Sequence, residues 1–249
     1  MHRFYLPPHT CRGPVLFLTG GEAHHAQHVL RVEPEEEVLV LDGAGQECLC
    51  GVEAVAKEQL KLKVLERRSS PPPPFQITLV QALPKGKIIE AIIAKATELG
   101  AWRLVPLLTE RVVTHLDAAE AARKALKWQA IAVEALKQCG SPWLPRIETP
   151  VTPAQFLERK EACELPLMGS LQKGSKHPRE YFRQFQQNNG RNPVCVSVWI
   201  GPEGDFTRDE MDLIIRAGAL PISLGPLVLR VETAAIYCLS ILNYELRAA

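Results

Sequence analysis

The 249-residue sequence has no apolar run approaching the ~20 residues needed to cross a bilayer. Its first ten residues, MHRFYLPPHT, lack the apolar core of a signal peptide. Both absences predict a soluble, cytoplasmic protein with no membrane partner. The seven cysteines include no C-x-x-C pair, so reduced thiols are expected rather than a metal or redox centre. Cys48 and Cys50, two apart, would share one face of a strand. Charge of one sign is also missing: 29 Lys+Arg against 28 Asp+Glu leave a net charge of +1. A nucleic-acid partner would therefore have to be met by a local basic patch. No G-x-G-x-x-G, H-E-x-x-H or G-x-S-x-G occurs. The stretch Gly169–Lys176 has Walker-like glycine spacing, but Ser175 follows the second glycine where a P-loop needs its lysine. Leu41–Gly45 has an acidic residue before glycines, displaced by one position from a Rossmann-type methyltransferase signature, and reads better as a hairpin turn.

What is present is ordinary globular material, 46% hydrophobic and 23% charged, enough for one large domain or two modest ones. Pro71 to Pro74 form a stiff segment that neither helix nor central strand absorbs, which predicts a boundary between domains 1–70 and 75–249. Residues before Phe75 carry a charge balance of −2, and those after it +3. Five of the seven histidines (His2, His9, His24, His25 and His28) fall at the N-terminal end. Short strands at Val38–Leu41, Glu47–Val52 and Leu60–Leu65, with the Asp42-Gly43 turn and a helix near Glu22–Val29, predict a small β-barrel. Beyond the prolines, strands alternate with helices. Strands are expected at 75–82, 103–107, 165–168, 194–200 and 221–224. Helices are expected at 87–99, 118–138, 153–160, 179–187, 207–217 and 232–246. That alternation predicts an α/β fold with a mostly parallel sheet.

Two strand–loop–helix junctions carry chemistry. Ile200-Gly201-Pro202-Glu203-Gly204-Asp205 leaves a strand and enters a helix through the capping box Thr207/Glu210. Its glycines allow the backbone to approach a ligand closely. The second junction, Leu224-Gly225-Pro226 to Leu229-Arg230-Val231-Glu232-Thr233-Ala234, leads into a helix that is apolar almost all round. Such a helix is buried in the core or against a second subunit. Arg230 and Glu232 at its start either pair with each other or act on a ligand. Loops at the carboxyl ends of neighbouring strands are where open α/β sheets hold ligands.

Together these loops resemble the cofactor-binding signature of RsmE-type 16S rRNA methyltransferases, a family of the SPOUT class. The likeness extends to Ala82-Leu83-Pro84-Lys85-Gly86, Lys95–Gly100, Thr109-Glu110-Arg111, Trp128 with Glu134-Ala135, Arg3-Phe4, His24-His25, Val29-Leu30-Arg31 and Asp42-Gly43. Leu227, Asp205 and Ser141 depart from it, standing where a basic residue, a glycine and an arginine are usual. The resemblance implies a trefoil-knotted α/β domain preceded by a PUA-like barrel, and a homodimer. It implies S-adenosyl-L-methionine as cofactor and methylation of uridine N3 in small-subunit 16S rRNA during ribosome maturation. It implies cofactor contacts by Leu171, Ile200, Gly201, Pro202, Glu203, Gly204, Leu224, Gly225, Leu229, Thr233 and Ala234. A non-catalytic RNA-binding or ribosome-assembly protein, and a relative acting on tRNA, are the competing readings.

Uracil N3 is protonated at neutral pH, so the reaction needs the proton removed or the resulting anion stabilised. Arg230 suits the anion and Glu232 the proton, although a plain ion pair between them is an equal alternative. Arg111 is a further catalytic candidate, reaching a partner subunit's site. No metal is implied. For RNA, Lys85, Lys87, Arg123, Lys124 and Lys127 form a basic set, which on a helix is also what a solvated face looks like. His24, His25 and Arg31 are candidate phosphate contacts or a surface turn of the barrel.

Overall fold

The protein is described by a computed structural model covering residues 1–112, 116–172 and 174–247. It divides into two compact units, residues 1–72 with 133–144 and residues 73–132 with 145–249. Division at the prolines would leave 133–144 with the second unit; instead these residues pack with the first.

In the first unit, β1 (His2–Tyr5) and β2 (Val15–Thr19) precede a short helix α1 (Gly20–His24) that widens into a π turn over His25–Leu30. Then follow β3 (Glu37–Leu41), β4 (Gln46–Ala56) and β5 (Gln59–Ser69), giving the sheet order β1-β3-β4-β5-β2. β1 runs parallel to β3 and the remaining pairs are antiparallel. The sheet is a half-barrel whose inner face carries Phe4, Leu18, Val40, Cys48, Cys50 and Leu62, with Ala23 and Ala26 packed on it. The alternation expected of Cys48 and Cys50 is met, since both are buried. The Asp42 carboxylate holds the β3–β4 turn, accepting the amides of Ala44 (2.7 Å) and Gln46 (2.9 Å). In the same unit the Arg3 guanidinium donates to the carbonyls of Lys137 (3.3 Å) and Gln138 (3.0 Å), which satisfies acceptors at a helix C-terminus. Lys137, almost buried, pairs with Glu22 and Glu134, each at 2.7 Å.

The second unit holds β6 (Gln76–Ala82), α2 (Ile88–Glu98), β7 (Arg103–Leu107) and the start of α3 (Ala118–Cys139). It continues through β8 (Arg146–Ile147), α4 (Pro153–Glu158), β9 (Leu165–Gly169), α5 (Pro178–Asn189) and β10 (Cys195–Ile200). It ends with α6 (Arg208–Arg216), β11 (Leu220–Ile222) and α7 (Val231–Arg247). All six strands are parallel, in the order β11-β9-β10-β6-β7-β8. β6 is buried at every position but its first, as a parallel strand covered on both faces should be. Phe156 of α4 and Ile214 of α6 share one core cluster with Val80, Val105, Met168 and Trp199. α7 buries Val231, Ala235, Cys238, Leu239, Leu242 and Leu246, a single helical stripe.

The segment after β9 crosses over β11. Ser170 N–H reaches the Ile222 carbonyl on one side (3.0 Å), while Ser223 N–H donates to the Lys176 carbonyl on the other (2.9 Å). β11 thus lies between Ser170, just after β9, and Lys176.

Candidate functional site

A cavity of about 610 Å³ opens at the carboxyl ends of β9, β10 and β11. Three loops line it: Gly169 to Gln172, Ile200 to Glu203 with Asp205, and Ser223 to Glu232 with Ala234. Of the residues expected to hold a cofactor, Leu171, Ile200, Gly201, Pro202, Glu203, Leu224, Gly225, Leu229 and Ala234 lie on its wall. Gly204 and Thr233 do not. Gly204 faces away because its carbonyl accepts the Arg111 guanidinium, and Thr233 is exposed on α7.

The wall is built from backbone. A Cβ on Gly201 would lie 2.9 Å from Asp205 Oδ1 and 3.2 Å from the Phe206 amide nitrogen, so any side chain there would push the loop apart. Gly225 sits at φ 109°, a conformation that other residues rarely adopt. Gly225 N–H caps on Ser223 Oγ at 3.3 Å. Among the described residues, no hydrogen bond engages the backbone groups of Leu224, Leu227 or Leu229. Unpaired amides and carbonyls beside an apolar surface leave hydrogen-bonding positions open to a ligand.

Two contacts set the shape of the glycine loop. Glu203 Oε1 accepts the Lys85 amide at 2.9 Å, tying the loop after β6 to the loop after β10. Glu203 thus touches the wall while its carboxylate is engaged elsewhere. Asp205 adopts φ 62°, the left-handed region, and its Oδ1 accepts the Phe206 amide at 2.8 Å. This accounts for the departure from glycine at that position, because aspartate tolerates this conformation better than most residues. The capping box at the head of α6 forms as expected: Thr207 Oγ1 accepts from Glu210 N–H at 3.3 Å, and Glu210 Oε2 from Thr207 N–H at 2.9 Å. Glu210 Oε1 also accepts the Glu110 amide at 2.9 Å.

Arg230 and Glu232 both line the cavity. No ion pair joins them among the described residues, so the plain salt-bridge alternative is not what the structure contains. Arg230 is exposed at the mouth and Glu232 is half-buried. Leu171, Leu227 and Val228 add an exposed apolar rim. Arg111 is not on the cavity wall; within one chain it supports the loop from behind.

The basic residues are dispersed. Lys85 and Lys87 are exposed and precede Ile88, which touches the cavity. On α3, Lys127 pairs with Glu90 at 2.6 Å, Arg123 with Glu120 at 3.8 Å, and Lys124 lies 6.0 Å from the Trp128 ring centre. His24 and Arg31 are exposed in the first unit; His25 is half-buried. Among the described residues no cluster of three His, Cys, Asp or Glu side chains that would hold a metal occurs, and no helix is long and apolar enough to cross a membrane.

Sequence reasoning missed Gly169 and Ser223 on the wall. Gly169 ends β9 beside Ile200, where a Cβ would lie 3.2 Å from Ile200 Cδ1. Its signal was a glycine at the carboxyl end of a strand. Nothing in the sequence places that strand between β10 and β11.

A family profile described as an RNA methyltransferase domain matches residues 71–243, and one described as an RNA methyltransferase PUA domain matches residues 18–65. The chain is 34% identical over 245 residues to ribosomal RNA small subunit methyltransferase E of Synechocystis sp., covering 97% of this chain and 77% of that protein. It is 31% identical to the protein of the same name from Aquifex aeolicus, covering 97% and 99%. A Legionella pneumophila methyltransferase solved with bound S-adenosylmethionine superposes with a TM-score of 0.87 at 34% identity, over 97% of this chain and 96% of that one. Ribosomal RNA small subunit methyltransferase E of Neisseria gonorrhoeae, bound to S-adenosylmethionine, gives 0.84 at 26% identity over 98% and 97%.

Proposed function

The chain belongs to the ribosomal RNA small subunit methyltransferase E family, and from that premise we propose that it methylates N3 of a uridine in small-subunit 16S rRNA. The observation that carries this reading is the cavity itself. It is walled by the loops after three adjacent parallel strands, with Arg230 and Glu232 on the same wall. S-adenosylmethionine supplies a methyl group on a sulfonium, which a nucleophilic ring nitrogen can accept directly. Gly201, Gly225, Leu224 and Leu229 offer it backbone contacts, with Leu171, Ile200, Pro202 and Ala234 packing on its apolar parts. Gly204 contributes by holding its loop in place through the Arg111 bond.

The chain's own work is to orient the uracil and handle its N3 proton. The Arg230 guanidinium, with no carboxylate partner among the described residues, stabilises the charge that builds up as N3 deprotonates. Glu232 receives that proton, directly or through a water. The target base must leave its helix to reach this wall. Lys85 and Lys87 beside the cavity, and His24, His25 and Arg31 in the PUA unit, supply phosphate contacts. Arg123, Lys124 and Lys127 add weaker ones, because each already has a partner within its own unit. A second copy packs on α7, where Tyr237 and Tyr244 are exposed opposite the buried stripe.

Incubating purified protein and S-adenosylmethionine with small subunits lacking the modification tests the reading. Nucleoside mass spectrometry should show 3-methyluridine. Methylation of tRNA alone, or of another ring position, would redirect it.

A further inference from the structure

The amino ends of β9 and β10 carry two cysteines that methyl transfer does not use. Val196 pairs with Leu165 in parallel register, and Glu164 N–H donates to the Cys195 carbonyl at 3.1 Å. Cys163 is thereby brought alongside the start of β10. Its Sγ lies 3.7 Å from the Cys195 carbonyl oxygen and 3.4 Å from Ser197 Oγ. Cys195 Sγ lies 3.6 Å from the carbonyl oxygen of Ala162, the residue before Cys163, so each sulfur sits against the backbone beside the other cysteine. Both residues are partly exposed.

The other five cysteines differ. Cys11, Cys48, Cys50 and Cys238 are buried. Burial pushes Cys11 up to about 11 and both Cys50 and Cys238 up to about 12, which leaves them protonated and inert. Cys139 is exposed, with its sulfur 3.7 Å from the Leu136 carbonyl oxygen. At Cys163, the influence of the neighbouring Cys195 thiol outweighs burial. Bonds from the Ser197 side chain and the amides of Leu165 and Ser197 help lower it to about 6. The neighbouring Cys163 thiol, with burial, raises Cys195. Cys163 is thus the more acidic of the two thiols and Cys195 the less acidic, the asymmetry that an attacking and a resolving thiol need.

We propose that Cys163 and Cys195 are an oxidation site for small peroxides, closing to a disulfide across the amino ends of β9 and β10. The Cys163 thiolate attacks a peroxide oxygen, the O–O bond breaks, hydroxide leaves, and Cys163 becomes a sulfenic acid. The Cys195 sulfur then attacks the Cys163 sulfur, the S–O bond breaks, and the thiol proton leaves with the hydroxyl as water. In sum, two thiols give up two electrons to hydrogen peroxide and two waters form. The cofactor cavity lies at the other end of the same strands, so this chemistry does not depend on methyl transfer.

The test is peptide mapping of the full-length protein after treatment with hydrogen peroxide and blocking of residual thiols. Expected is a linked Cys163–Cys195 peptide two hydrogens lighter than the sum of its parts, abolished by reductant and unchanged in Cys139→Ser. In Cys195→Ser, the sulfenic acid should persist and be trapped on Cys163 by dimedone. Absence of the linked peptide at peroxide levels that oxidise Cys139 would overturn the proposal, as would dimedone labelling that ignores Cys163 in a folded Cys195→Ser protein. If that variant does not fold, the wild-type map alone decides.

Discussion

The Arg111 guanidinium donates a hydrogen bond to the carbonyl oxygen of Gly204, and the Phe206 carbonyl lies 3.4 Å from the same nitrogen. A residue just beyond β7 thus fixes the loop just beyond β10, next to the glycine that lines the cavity. Glu110 and Glu210 add a second tie of 2.9 Å between the same two segments.

Arg111→Ala should therefore weaken S-adenosylmethionine binding. A hydrogen bond from a charged group contributes about 1.5 kcal/mol, or roughly ten-fold in Kd. Arg111→Lys, whose ammonium lacks the rigid planar geometry of the guanidinium, should recover only part of it. Calorimetric titration distinguishes this from an Arg111 that reaches a partner's site, where kcat would fall with Kd unchanged.

Arg230→Ala and Glu232→Gln should leave cofactor affinity within two-fold while lowering kcat. For the arginine, loss of about 3 kcal/mol of charge stabilisation corresponds to a roughly hundred-fold slower transfer. For the glutamate, general-base catalysis of this kind contributes about 100-fold or more. Raising the pH should partly rescue Glu232→Gln, because more of the uracil is then deprotonated without help. Single-turnover kinetics on small subunits measures both.

Asp205→Gly should be nearly neutral, since glycine accepts φ 62° freely. Asp205→Val should destabilise by about 1–2 kcal/mol, because a branched side chain resists the left-handed region. Thermal melting with and without S-adenosylmethionine reads both effects.

Lys137 gives the pH prediction. Burial opposes its charge, but hydrogen bonds with Glu134 and Glu22 outweigh that and raise its pKa above 10.5. A group whose folded pKa is raised adds stability that is fully present below the unfolded value and lost as pH climbs through the folded one. The first unit should therefore lose stability above about pH 10.5, and Lys137→Met should flatten that dependence. Denaturant midpoints against pH provide the check.

Lys85→Ala and Lys87→Ala should weaken RNA binding uniformly across sequences and reduce the salt slope by about 1 each if each contacts a phosphate. Lys127→Ala should change it less, because Glu90 already holds that ammonium at 2.6 Å. Filter binding over a salt series separates the two cases.

Local chemistry was readable from the sequence where it is set by neighbours in the chain. The Asp42-Gly43 turn, the Thr207/Glu210 capping box and the buried pair Cys48/Cys50 depend on spacing, and spacing is visible. The strand order was not, because pairing β9 between β10 and β11 is decided through space. For the same reason Gly201 and Gly204 look alike in sequence, yet one lines the cavity and the other takes the Arg111 bond. β1 and β2 went unnoticed because Pro7, Pro8 and Pro14 break the run around them. The packing of residues 133–144 with the first unit was not legible, because a long helix gives no sign of where its packing partners change. Asp205, which departs from the family pattern, became intelligible only once its φ angle was known.

Titration of S-adenosylmethionine into the wild-type protein and Gly201→Val bears most directly on the central claim. The cavity predicts saturable binding by the wild type. It also predicts loss of at least ten-fold in affinity for the variant, with its fold intact by circular dichroism, because a side chain there would displace Asp205 and Phe206. Equal binding by both proteins, or none by the wild type, would contradict it.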